Sequence, residues 1–89
     1  MNEKPLKILL IEDDEDDAFY IKDILKEGLG EPVPLIDHFP SAGSSLDRLN
    51  PFQYDLAMFD YRLGEITGIE LLRKIRGQGC DIPIILFTG

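Results

Sequence analysis

Four short apolar runs alternate with longer amphipathic ones along this chain, and that alternation is what most narrows the possible folds. Leu6–Ile11 (LKILLI), Leu35–Phe39 (LIDHF), Tyr54–Asp60 (YDLAMFD) and Ile82–Thr88 (IPIILFT) read as strands. The first is nearly all apolar, as in a strand buried on both faces. Between them lie three helical patterns. Asp16 to about Glu27 places Ala18, Ile21 and Leu25 on one face with Ile24 beside it, and Gly28 and Gly30 are expected to end it. Ser41 is expected to cap a second helix carrying Ala42, Leu46 and Leu49, broken at Asn50-Pro51. A third is expected from about Thr67 to Arg76, with Ile69, Leu72 and Ile75 at helical spacing and Gly77 and Gly79 behind it. The β-α-β-α-β-α-β order calls for an α/β fold: parallel strands, right-handed helical crossovers and helices covering the sheet. A split α+β sheet would favour hairpins, and no two of the four runs are joined by a hairpin-length turn.

The 89 residues amount to one small domain, without internal repeat or linker. Their formal net charge of −8 argues against nonspecific binding to nucleic acid or to an anionic membrane surface. A divalent cation or a basic partner surface is the natural complement. The single cysteine, Cys80, leaves no internal disulfide and suits a reducing compartment. The longest apolar stretch, Ile82 to Phe87, is far below the ~18 residues of a membrane span. MNEKPLK leads straight into a strand and lacks the apolar core of a signal peptide. A cytoplasmic location is therefore expected.

In open α/β sheets, sites form at the carboxyl ends of the strands. The first strand ends in Glu12 and Asp13, the third in Asp60 and the fourth in Thr88. If the first and third strands are neighbours, spaced by ~4.8 Å, Asp13 and Asp60 converge with Glu12 close by. Two carboxylates ~5 Å apart repel by roughly 3 kcal/mol at an effective dielectric of ~20. A raised pKa, a lysine or a metal must offset that. A compact set of hard oxygen ligands suits Mg²⁺, whose shell is commonly completed by water and phosphate. Asp14, Glu15, Asp16 and Asp17 continue the acidic run, but at a helix start the macrodipole accounts for acids, each by ~0.3–1 kcal/mol.

Competing motifs fail on their own requirements. An EF-hand loop opening at Asp13 needs glycine and glutamate at its sixth and twelfth positions, where Ala18 and Ile24 stand. A phosphate-binding loop needs glycines after the first strand, where acids stand. His38 has no cysteine or second histidine near it in sequence, so a structural or exposed histidine is favoured over a zinc ligand. Cys80 reads as an idle thiol.

With LLIEDD after the first strand, DLAMFDYRLGEITGIELLRKIR around the third and PIILFTG at the fourth, the chain resembles the receiver domain of bacterial two-component response regulators. The resemblance runs from Leu6 to Gly89. It implies a flavodoxin-like, doubly wound parallel sheet of strand order 2-1-3-4-5. It implies Asp60 as phosphoacceptor, attacking a phosphohistidine of a sensor histidine kinase or phosphotransfer protein, or a small phosphodonor. It further implies Mg²⁺ held by Asp13, by Glu12 largely through water, by Asp60 and by the backbone carbonyl of Arg62. Thr88 becomes the switch hydroxyl and Gly89 the small residue beside it. Such a domain accepts a phosphoryl group and changes conformation; it is not a conventional enzyme.

Gly64 departs from the family's frequent proline and implies a more flexible turn, while Gly68 matches the glycine that opens the third helix. The family pattern also continues past Gly89 with a fourth helix, a fifth strand bearing a lysine, and a fifth helix. Residues 1–89 are therefore expected to be a receiver domain incomplete at its C-terminus. Self-association through the open edge of the fourth strand, and an exposed apolar face on the sheet, are expected with that. Two alternatives stay open: a receiver-like scaffold that binds without switching, and a Mg²⁺-dependent phosphatase with an aspartate nucleophile. Asp13 and Glu15 imitate the two-residue spacing of the phosphatase class only loosely.

Overall fold

The computed structural model describes residues 4–41, 50–64 and 66–88. The helix expected from Ser41 through Leu49 falls on residues 42–49 and so lies outside the described residues, as does Gly89. Four parallel strands form the main sheet: β1 (Lys7–Ile11), β2 (Leu35–Phe39), β3 (Leu56–Asp60) and β6 (Ile84–Phe87), in the order β2-β1-β3-β6. As the four expected strands, they stand in the order 2-1-3-4. The first two move one way across the sheet and the last two the other, so right-handed crossovers put their helices on opposite faces.

β1 is central, and its burial follows from that position. Ile8, Leu9, Leu10 and Ile11 are all buried, which is why its sequence runs apolar without alternation. β2 lies at an edge and keeps Leu35 and Asp37 exposed.

Helix α1 spans Glu15–Leu29. It starts one residue earlier than the pattern indicates, because Asp14 is the cap: its Oδ1 accepts from Asp16 N (2.8 Å) and Asp17 N (3.1 Å). It also runs through Gly28, whose backbone stays helical. The chain leaves the helix at Gly30, where φ is 67° and the N–H donates to Lys26 O at 3.2 Å. Ala18 is buried and Ile21 and Leu25 half-buried, the stripe that the spacing indicates.

The second described helix, α2 (Gly68–Gly77), is capped by Thr67, whose Oγ1 accepts from Glu70 N at 3.2 Å. It buries Leu71 and Ile75 against Leu9, Ile11, Ala57 and Phe59 of the sheet. Burying a large apolar side chain of this kind contributes about 1.5–3 kcal/mol. Cys80 completes this core as a free thiol, with Arg76 Nη1 donating to its carbonyl at 3.0 Å.

One small element is added to the four expected strands. Arg62–Leu63 (β4) and Ile66–Thr67 (β5) pair antiparallel across a hairpin-length connection. Gly64 makes it possible by taking φ 80°, a conformation that glycine adopts without Cβ clash. The small ribbon buries Leu63 and delivers the chain to α2. β3 and β6 are also shorter than their apolar runs: Tyr54 packs in the core ahead of β3, and Ile82 ahead of β6.

Candidate metal centre

The strand register builds the site. Ile11 lies opposite Phe59, so the next residues along, Glu12 and Asp60, leave neighbouring strands at the same rim. Asp60 lies opposite Phe87, which sets Thr88 beside Tyr61, and Tyr61 N donates to Phe87 O at 2.8 Å. One carboxylate oxygen from each of Glu12, Asp13 and Asp60 can be chosen so that all lie within 4.8 Å of one another. Glu12 is 2% exposed, Asp60 half-buried and Asp13 exposed, so the cluster opens from the sheet toward solvent.

Short local bonds orient two of these acids. Glu12 Oε1 accepts from Asp14 N at 3.1 Å, and Asp60 Oδ1 accepts from Arg62 N at 3.1 Å. The cap of α1 and the start of β4 thus each spend a backbone N–H on the site. Behind Asp60, Gly68 N donates to Tyr61 O at 2.7 Å. A Cβ on Gly68 would stand 2.9 Å from Asp60 O and 2.9 Å from Leu86 Cδ2.

Burial pushes the Glu12 carboxyl up to about 7. A hydrogen bond with the Asp13 side chain and the charges of Asp60 and Asp13 push the same way, while the Asp14 N–H pulls it back. A proton on Glu12 therefore relieves part of the crowding. A divalent cation would offset most of it, and an all-oxygen donor set on a water-accessible rim fits a hard ion such as Mg²⁺.

Asp60 also lines an open concavity of ≈ 420 Å³ together with Tyr61, Arg62 and Thr88. Asp60 thus borders both the acid cluster and this space. Thr88 is exposed at the end of β6, and Arg62 opens β4 with an exposed side chain. Sequence reasoning missed Tyr61 as a wall of the concavity; its only signal was adjacency to Asp60. His38, expected to be structural or exposed, is half-buried. His38 Nε2 lies 2.7 Å from Glu12 O, and since a carbonyl only accepts, Nε2 carries the proton and donates.

The class so defined is a doubly wound α/β domain with a carboxylate cluster at the carboxyl rim of its parallel sheet. The profile of the response regulator receiver domain matches residues 8–89, and the chain belongs to that family. It is 32% identical over 84 residues to the two-component response regulator PhoP of Pseudomonas aeruginosa, covering 94% of this chain and 36% of PhoP. To the response regulator receiver protein CpdR of Brucella abortus it is 33% identical over 84 residues, covering 93% of this chain and 66% of CpdR. The chain thus spans about a third of the length of relatives such as PhoP. Among solved structures, the MaeR response regulator bound to beryllium trifluoride superposes with TM-score 0.78 at 26% identity, covering 94% of this chain and 67% of that one. A CheY-like receiver domain from Methylobacillus flagellatus gives TM-score 0.78 at 23% identity, covering 97% and 71%. The flavodoxin-like receiver fold of two-component systems is therefore the fold of this chain. Among the described residues no helix is long and apolar enough to cross a membrane.

Proposed function

We propose that residues 1–89 form a phosphoacceptor signalling domain that takes a phosphoryl group on Asp60 in a Mg²⁺-dependent reaction. The observation that carries the reading is that Asp60 belongs both to the carboxylate cluster and to the lining of the concavity with Thr88. Mg²⁺ held by Glu12, Asp13, Asp60 and the Arg62 carbonyl would offset part of the charge of the crowded carboxylates and of the phosphoryl oxygens.

The rest is done by the chain. A carboxylate oxygen of Asp60 attacks phosphorus; the Asp60 O–P bond forms as the P–N bond to a kinase histidine breaks, and the imidazole leaves with the bonding electrons. Arg62 N–H holds Asp60 Oδ1 during that approach. Thr88 then turns its hydroxyl toward a phosphoryl oxygen and donates to it. That inward move biases the surface around β6, in the manner of other phosphorylation switches. The partners in this reading are a histidine kinase or phosphotransfer protein in the cytoplasm, and the domain is a signalling acceptor that neither turns over substrates nor binds nucleic acid. Pairing of β6, an edge strand of the described sheet, with a second copy belongs to the same reading for residues 1–89 on their own, and light scattering at high concentration reads it as a dimer.

The test is to incubate the chain with acetyl phosphate, with and without Mg²⁺, and follow the intact mass. A gain of one phosphoryl group that needs Mg²⁺ and is lost in Asp60→Asn is the expected result. No gain under any condition makes the domain a non-switching scaffold. Steady hydrolysis of unrelated phosphoesters makes it a phosphatase.

A further inference from the structure

We infer that His38 is a positioning residue for the carboxylate cluster, holding the Glu12 backbone so that Glu12 and Asp13 face Asp60 and accept a divalent cation. The inference rests on the reading of that cluster as a cation site.

The β1–β2 ladder is hydrogen-bonded along its length. In it Leu35 N donates to Leu6 O, and at the far end Glu12 N donates to Phe39 O at 3.1 Å. By the alternation of a parallel ladder, the next rung would run from Ser41 N to Glu12 O. That rung is not made, because the chain bends at Pro40 and β2 stops at Phe39. Proline fixes φ near −65° and takes the backbone off the strand path. The Glu12 carbonyl would be left at the exact point where β1 must present its acids. His38 fills the gap: its Nε2–H reaches Glu12 O at 2.7 Å, a short bond across 26 positions of sequence.

The side chain is placed for this by the register. His38 lies opposite Leu10 on the same face of the sheet, two residues ahead of the carbonyl that it binds. With the Phe39 carbonyl on its N–H, the imidazole on its C=O and the Asp14 N–H on its carboxylate, Glu12 is fixed at three points. Asp13 follows directly in the chain, so its direction is set by the same peptide. Removing the imidazole frees one end of that peptide, and both acids lose their fixed relation to Asp60. Partners behind metal ligands commonly contribute 10–100-fold to metal affinity, and holding a ligand's backbone is one way of doing so.

The test compares His38→Phe, which keeps an aromatic ring and loses the donor, with His38→Gln, whose amide N–H can replace it. Isothermal titration calorimetry with Mg²⁺ alone gives the dissociation constant of the full chain, and urea denaturation in EDTA gives its metal-free stability. Mg²⁺ binding weakened about tenfold in His38→Phe and restored to within about threefold in His38→Gln supports the inference. Where His38→Phe does not fold, His38→Ala takes its place against the same glutamine variant. Unchanged Mg²⁺ affinity in a folded variant lacking the donor overturns it, as does a loss that glutamine fails to restore. If the wild-type chain binds no Mg²⁺, the cation site itself fails and the role of His38 goes with it, a result separable from the other two.

Discussion

Buried beside two other carboxylates, Glu12 keeps its proton up to about pH 7, whereas an unfolded glutamate releases it near 4.5. Between those values the folded chain binds more protons than the unfolded one, so without a cation its stability falls as pH rises through that window. Glu12→Gln removes that slope. In EDTA at pH 8 it should be more stable than the wild type, by on the order of 2 kcal/mol, and near parity at pH 4.5. Urea midpoints at the two pH values check this. The acids themselves were legible from their place at strand ends. The task of His38 was not: a lone histidine carries no signal about a carbonyl 26 positions away until the strand order and the bend at Pro40 are known.

At the scale of elements, the two helix starts carry different consequences. Asp14→Ala removes both acceptor bonds at the head of α1 and should cost about 1 kcal/mol, while Asp14→Asn keeps the acceptor and should be close to neutral. Thermal melts of the two variants separate the effects. At the head of α2, Gly68→Ala would press a methyl group onto the Asp60 carbonyl and Leu86. The carbonyl is backbone and cannot rotate away, so a loss of about 1–3 kcal/mol is expected, together with slower labelling of Asp60 by acetyl phosphate. Helix and strand periods showed both elements in the sequence, but their ends depended on geometry. Gly28 and Gly30 look alike as letters, and only Gly30 takes positive φ. The β4–β5 ribbon was missed because two-residue strands are too short to show a period; Gly64 was its one visible mark.

The molecule as a whole carries a formal charge of −8, and its one rim gathers three acids of that excess within 4.8 Å of one another. Millimolar Mg²⁺ should raise the melting temperature beyond what KCl does at matched ionic strength, because a site-bound ion stabilises by mass action as well as by screening. Asp13→Asn should remove most of that difference, which calorimetric scans can read directly. The alternation of strands and helices made the layered architecture readable from the start. The strand order was implied only by the family resemblance, since periodicity does not say which strands are neighbours.

Every strand of the main sheet exits at the same rim, and the acid cluster is assembled from stretches around residues 12 and 60, backed by His38 of β2, that meet only once β1, β2 and β3 have paired. No single hairpin or crossover unit can reconstitute it in isolation. Ion affinity in this chain is therefore a reporter of the docking of β1, β2 and β3, and a nick or kinetic trap that parts those strands while sparing most of the helix content would still weaken it.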